Sequence, residues 1–160
     1  MDSVYLETTF ISYLVARPSR DLIVAAHQQI TNEWWSQWRS GFDCYVSQMV
    51  IDEASAGDPE EVRKRSEIIG QLRALEATHE AEELTQALLA RGIFPPKAAG
   101  DAAHIAISAV NEIDFMLTWS CTHLANAQVM RRVSKVCEGH WYNMPLICTP
   151  EELMGGQDDV

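Results

Sequence analysis

Short apolar, β-prone runs alternate along this chain with longer segments of helical spacing, and that alternation leaves few folds open to it. The runs are Val4 to Leu6, Asp43 to Val46, Phe115 to Thr118 and Leu146 to Cys148, with Leu72 to Glu76 ambiguous between strand and loop. The segments between them are too long for hairpin turns. Phe10, Ile11, Leu14 and Val15 recur at helical spacing, and so do Leu22, Ala25, Ala26, Ile30, Trp34 and Trp38, which predicts a long helix reaching about Arg39. Parallel neighbours require crossover connections, so strands separated by helices predict an α/β fold: a parallel sheet of four to five strands flanked by helices on both faces.

Punctuation residues sharpen the helix limits. Ser47 can cap a short helix carrying Val50, Ile51, Glu53 and Ala54, which Gly57 closes. Asp58-Pro59-Glu60-Glu61 places a cap, a first-turn proline and acids in sequence, and predicts a helix to about Gly70. Thr78 precedes a helix from His79 to Arg91 that stops at Gly92. Pro95-Pro96-Lys97 opens a helix through Asp101 to about Val110. Short helices are expected from Thr122 and from Gln128 to Val136, and Thr149-Pro150-Glu151-Glu152 reads as a capping box. With no repeat and no linker, residues 1–154 read as a single domain and 155–160 as a flexible tail.

Composition narrows the functional classes. The chain has 160 residues, 47% of them hydrophobic, enough for one core. Its start, MDSVYLETTF, lacks the apolar run of a signal peptide, and no segment reaches the roughly 18 apolar residues of a membrane span, so a cytoplasmic location with no membrane is expected. Cys44, Cys121, Cys137 and Cys148 are widely spaced, which predicts reduced, mostly buried thiols; Cys121-x-His123 and Cys137-x-x-His140 do not match a common zinc finger. Of the three clustered tryptophans, Trp34 and Trp38 read as core and Trp35 as an interface. The net charge of −11 opposes generic phosphate binding, yet it suits a carboxylate pocket that gathers metal cations, or a basic partner. Glu76, Glu80, Glu82 and Glu83 read as a solvated face.

Three acids occupy telling places. Glu7 follows the first run, Glu53 lies on the helix after the second, and Asp101 opens the helix leading into the third. Ligands of open α/β sheets bind outside the carboxyl ends of strands, so these acids can converge there. Clustered carboxylates repel unless a divalent cation neutralises them, and oxygen ligands suit Mg2+ or Mn2+. Taken singly, Glu7 and Asp101 are also explained by a helix dipole, and Glu53 as a solvated helix acid.

The stretches VYLETT, VIDEAS, GDAAHIAISAV and FMLTWSCTHLAN, in this order and these contexts, resemble the motifs of the PIN-domain family of metal-dependent ribonucleases, in the style of VapC-like toxins. The resemblance covers about residues 3–150. It implies a PIN-like fold in which Glu7, Glu53 and Asp101 bind Mg2+ or Mn2+ and carry catalysis, with Thr9 orienting a ligand or water. It also implies hydrolysis of single-stranded or looped RNA, an antitoxin covering the cleft, and a homodimer. His104 either contacts substrate, orients Asp101 or is a hydrogen-bonded core histidine. His123 and Asn126 either line the same cleft or serve capping and surface packing. Two positions depart from the family pattern: Glu7 stands where an aspartate is usual, and Ser120 where a further acid follows the fourth strand. Ser120 fits a weak ligand or a helix cap equally. These departures define the alternative, a non-catalytic PIN-like scaffold acting as a protein or RNA interaction module. Arg17, Arg20, Lys97, Arg131 and Arg132 are the candidates for a basic strip.

Overall fold

The computed structural model describes residues 1–155, so the expected flexible tail, Gly155 apart, lies outside the described residues. Five strands, β1 (Ser3–Leu6), β2 (Asp43–Ser47), β3 (Arg73–Leu75), β4 (Phe115–Leu117) and β5 (Leu146–Cys148), form one all-parallel sheet in the order β3-β2-β1-β4-β5. Seven α-helices flank it among the described residues: α1 (Thr8–Val15), α2 (Leu22–Glu33), α3 (Gln48–Ala54), α4 (Pro59–Ile69), α5 (His79–Ala90), α6 (Ala99–Val110) and α7 (Ala127–Gly139). Successive side chains of a strand point to opposite faces. Val4, Tyr5 and Leu6 are all fully buried, so both faces of the central strand are covered. Their uninterrupted apolar character is what a doubly covered parallel strand requires.

The ambiguous stretch around residue 74 is the edge strand β3, largely exposed because no strand covers its outer side. Ala102, Ile105, Ala106 and Ala109 of α6 are buried with Ala81, Leu84 and Leu88 of α5, and the small residues let the two helices approach. The cap signals operate as local chemistry: Asp58 accepts from the Glu61 amide (3.2 Å), Thr78 from that of Ala81 (3.3 Å), and Thr149 and Glu152 form the capping box of a short 3-10 helix.

Two expected helices differ. The helix predicted to reach Arg39 is α-helical only to Glu33; Trp34–Trp38 forms a π-helical turn in which the Arg39 amide bonds the Trp34 carbonyl, followed by a 3-10 turn. Trp34 fixes this segment. Its ring is fully buried, edge-on to Phe10 (5.5 Å) and stacked on Phe42 (5.6 Å), and its Nε1 donates to the Leu153 carbonyl (3.1 Å). Trp35 is half-buried under the Arg39 guanidinium, 3.9 Å from its ring, and Trp38 is half-buried too. The short helix expected from Thr122 is a turn, because the amides of Leu124 and Ala125 both bond the Ser120 carbonyl and the chain then reverses into α7. The four cysteines are unpaired, and Cys121 is exposed; burial pushes the Cys137 thiol up to about 11 and that of Cys148 to about 12. Among the described residues no helix is long and apolar enough to cross a membrane.

After β3 the chain crosses to the far side of β1, so the connection order reverses between β1 and β4. Such a switch point opens a crevice at the strands' carboxyl ends.

Candidate functional site

Register creates the site. Leu6 of β1 lies opposite Leu117 of β4, so the next residues, Glu7 and Thr118, leave the sheet side by side, and the Glu7 amide bonds the Leu117 carbonyl (3.0 Å). Glu7 then caps α1. Its Oε2 accepts from the Thr9 amide (3.0 Å), the Thr9 hydroxyl and the Thr118 hydroxyl (2.8 Å). Each threonine oxygen also accepts a backbone amide of the turn after β4: Thr9 that of Trp119 (2.8 Å), Thr118 that of Ser120 (3.0 Å). One carboxylate oxygen is thereby saturated. The other, Oε1, accepts no hydrogen bond among the described residues and faces His104 Nε2 at 3.9 Å, in a residue only 3% exposed.

Glu53 enters from α3, which Ser47 caps at the end of β2. Its Oε1 accepts from the Thr8 hydroxyl (2.8 Å) and bonds His104 Nε2 (2.5 Å). Burial alone would raise its pKa, but the bond and charge of His104 and the Thr8 bond outweigh that and hold it below the ordinary carboxylate value. The second oxygen lies against Gly100, where an added Cβ would come within 3.3 Å of it. The absent side chain is what lets the start of α6, and so Asp101, approach Glu53.

His104 is fully buried on α6 and links both sides of the crevice. Nδ1 bonds the Tyr5 hydroxyl (2.6 Å), which in turn bonds Ser47 Oγ (2.6 Å). Burial would depress the imidazole pKa, yet the Glu53 bond and the charges of Glu7, Glu53 and Asp101 overcome this and raise it. The histidine therefore orients Glu53 rather than Asp101. Asp101, with 18% of its side chain exposed, lies 3.5 Å from His123 Nδ1. Burial first and the charge of Glu7 next raise its pKa above the usual value, against the opposing pull of His104 and His123.

One donor atom each from Glu7, Glu53 and His104 lies within 4.8 Å of the others. Asp101 stands outside that tight group but within electrostatic reach of all three. Ser120, half-buried, is tied in through its backbone, its amide on Thr118 and its carbonyl accepting from Leu124 and Ala125. Asn126 caps α7 through Oδ1, which accepts from the amides of Gln128 (3.1 Å) and Val129 (3.2 Å). No ion pair joins Glu7, Glu53 or Asp101 to a lysine or arginine among the described residues.

No protein-family profile matches the sequence, and no curated protein matches it either. Among solved structures, a chain of the crystal structure of VapBC2 from Rickettsia felis bound to a DNA fragment from their promoter aligns with a TM-score of 0.58. The alignment covers 91% of this chain and 97% of that one at 12% identity. The fold is PIN-like. At that identity the likeness concerns architecture and assigns no residue a role.

Reasoning from the sequence missed Tyr5, Thr8, Gly100 and Thr118, and foresaw Ser47 only as a helix cap and not as the partner of Tyr5. Tyr5 carried a usable signal: a phenol in the middle of a central, doubly covered strand must find a hydrogen-bond partner. The threonines carried none, since their value depends on which strand lies beside β1.

Proposed function

We propose that this chain is a PIN-like, metal-dependent endoribonuclease that hydrolyses single-stranded or looped RNA, as the toxin of a toxin–antitoxin pair. The observation that carries the reading is the gathering of Glu7, Glu53 and Asp101 at the sheet's switch point, with no lysine or arginine paired to them among the described residues. The donor chemistry fits a hard divalent cation: Glu7 Oε1 accepts no hydrogen bond among the described residues, Glu53 Oε2 lies against Gly100 at the start of α6, and Asp101 carries an acidity that burial and a neighbouring charge oppose. Glu7, Glu53 and Asp101 would hold Mg2+ or Mn2+, which when bound supplies a Lewis acid for the scissile phosphate and acidifies water.

The chain's own residues prepare that site. Thr9 and Thr118 clamp Glu7 by one oxygen and present the other. Thr8 and His104 do the same for Glu53, both bonding its Oε1. Carboxylates fixed before binding need little reorganisation during the reaction. With a net charge of −11, general phosphate affinity is weak, so recognition relies on an unpaired RNA segment reaching the crevice, with residues such as Arg17, Arg20 and Lys97 available for phosphate. The same acidity fits a basic antitoxin segment; the Rickettsia felis neighbour is a VapBC2 assembly. A homodimer and a cytoplasmic location belong to this reading.

Calorimetric titration with Mn2+ and an RNA cleavage assay, each run on wild type and Asp101→Asn, test it. Expected are mutation-sensitive metal binding and chelator-sensitive cleavage. Equal cleavage by both proteins would sink the assignment. The alternative, a non-catalytic interaction module, is favoured by one observation: Ser120 brings no charge to the turn after β4 and among the described residues engages only its backbone. Metal binding without cleavage of any structured or unstructured RNA would select it. Ser120→Asp should tighten Mn2+ binding if that position faces the metal.

A further inference from the structure

We propose that Tyr13, His27 and Trp119 form a stacking wall for an unpaired nucleobase beside the carboxylate centre. The identity of the ligand rests on the nuclease reading above; the wall itself rests on geometry. Trp119 and His27 are stacked face to face, with ring centroids 4.1 Å apart and planes inclined by 11°. Tyr13 lies 5.9 Å from Trp119 and 6.3 Å from His27. All three residues are half-buried, none being sealed in the core.

The wall adjoins the carboxylates. The Trp119 amide donates to Thr9 Oγ1 (2.8 Å), the hydroxyl that itself donates to Glu7, so the Trp119 backbone lies two hydrogen bonds from the Glu7 carboxylate. It lies on the α1 and α2 side of Glu7, whereas His104 and Glu53 lie on the α3 and α6 side. An RNA strand crossing the switch point would meet the carboxylates and the aromatic rings in succession.

The rings are also held in advance. Trp119 Nε1 donates to Thr31 Oγ1 (2.8 Å), and the Thr31 hydroxyl donates to the His27 carbonyl (2.7 Å), which ties indole and imidazole to the same turns of α2. A preordered aromatic surface loses little entropy on binding. Packing is the ordinary reason for an aromatic cluster, and this chain shows what that looks like: Trp34 and Phe10 are fully buried, edge-on to each other, with half-buried Phe42 stacked on Trp34. The Trp119 group is built differently: its indole is half-buried and its backbone joins Glu7 through Thr9. Single-stranded nucleic acids are held by bases stacking on aromatic faces beside positive groups that track the backbone, a part open here to Arg17 and Arg20 between α1 and α2.

The test uses a short fluorescein-labelled single-stranded RNA and the same backbone carrying abasic riboses. Binding is measured by anisotropy in calcium, with the RNA recovered uncut afterwards. Wild type should bind the base-bearing strand roughly 5- to 150-fold more tightly than the abasic one. Trp119→Ala should erase most of that difference, and Trp119→Phe should restore much of it. Equal binding of both strands by wild type overturns the proposal without recourse to any variant, and leaves the surface to a protein partner. No binding of the base-bearing strand overturns it too, as does a Trp119→Ala protein that keeps the full difference. The nuclease reading is judged apart: base-dependent binding without metal-dependent cleavage removes that reading and retains the wall. Cleavage indifferent to Trp119 and to the bases does the reverse.

Discussion

The two ends of the sheet are built on opposite terms. At the carboxyl ends, Tyr5, Ser47, Glu7, His104 and Thr118 are buried polar residues joined into continuous hydrogen-bond chains. Toward the amino ends, Trp34, Phe42 and Phe115 pack as aromatic surfaces, and the polar contacts include an open clamp in which Asp114 Oδ2 accepts from the Ser3 amide (2.8 Å) and hydroxyl (3.0 Å). Burying polar groups contributes little net stability even when every bond is made, whereas aromatic burial contributes much. The fold is secured at one end, and the other end is ordered for something besides stability.

Substitutions at the two ends should therefore separate function from stability. On the proposed nuclease reading, the largest effect expected is at Asp101→Asn, which should remove RNA cleavage while the metal-free protein stays folded. Because burial and the charge of Glu7 raise the folded-state pKa of Asp101, the ionised form weakens the fold at pH above that pKa, and the weakening is relieved as pH falls through it. Asn carries no charge, so the urea midpoint in chelator at neutral pH should hold or rise; a marked fall would mean that Asp101 is structural. Trp34→Ala belongs to the opposite end and should lose about 3–5 kcal/mol in urea unfolding, with cleavage per folded molecule unchanged. If its activity falls first, the division between the ends is wrong.

Tyr5→Phe should cost less, about 1–3 kcal/mol, because it leaves His104 Nδ1 and Ser47 Oγ short of a partner without emptying the core. Cleavage should fall more steeply than stability, since Glu53 is oriented through His104. A loss confined to the unfolding midpoint would reduce the buried chain to packing. The smallest effect is expected at Asp114→Ala. Removing this exposed clamp should shift stability by roughly 0.5–1.5 kcal/mol and leave metal binding and cleavage untouched, as paired calorimetry and assay would show.

Much of this was legible along the chain because it depends on neighbours in sequence. The runs VYL, DCYV, FML and LIC are short and apolar, and helix-length segments separate them, which is enough for a parallel sheet. Caps such as Asp58 with Glu61 and Thr149 with Glu152 act across three residues, so their signal is written locally. Position after a strand also singled out Glu7 and Glu53, whose carboxylates meet around His104. The contacts that give the crevice its character span the chain instead: Tyr5 to His104 across 99 residues, Thr118 to Glu7 across 111, Trp119 to Thr31 across 88. Local propensity says nothing about such pairs, because they follow from β4 rather than β3 lying beside β1 and from a register that sets Leu6 against Leu117. The same holds for Trp34–Trp38, where helical spacing cannot distinguish an α-turn from the wider π-turn that follows once Trp34 is sealed between Phe10 and Phe42. Sequence pattern specifies which groups must be buried or capped. Which distant groups then share a hydrogen bond is set by crossover order and strand register, and these emerge only when the whole core closes.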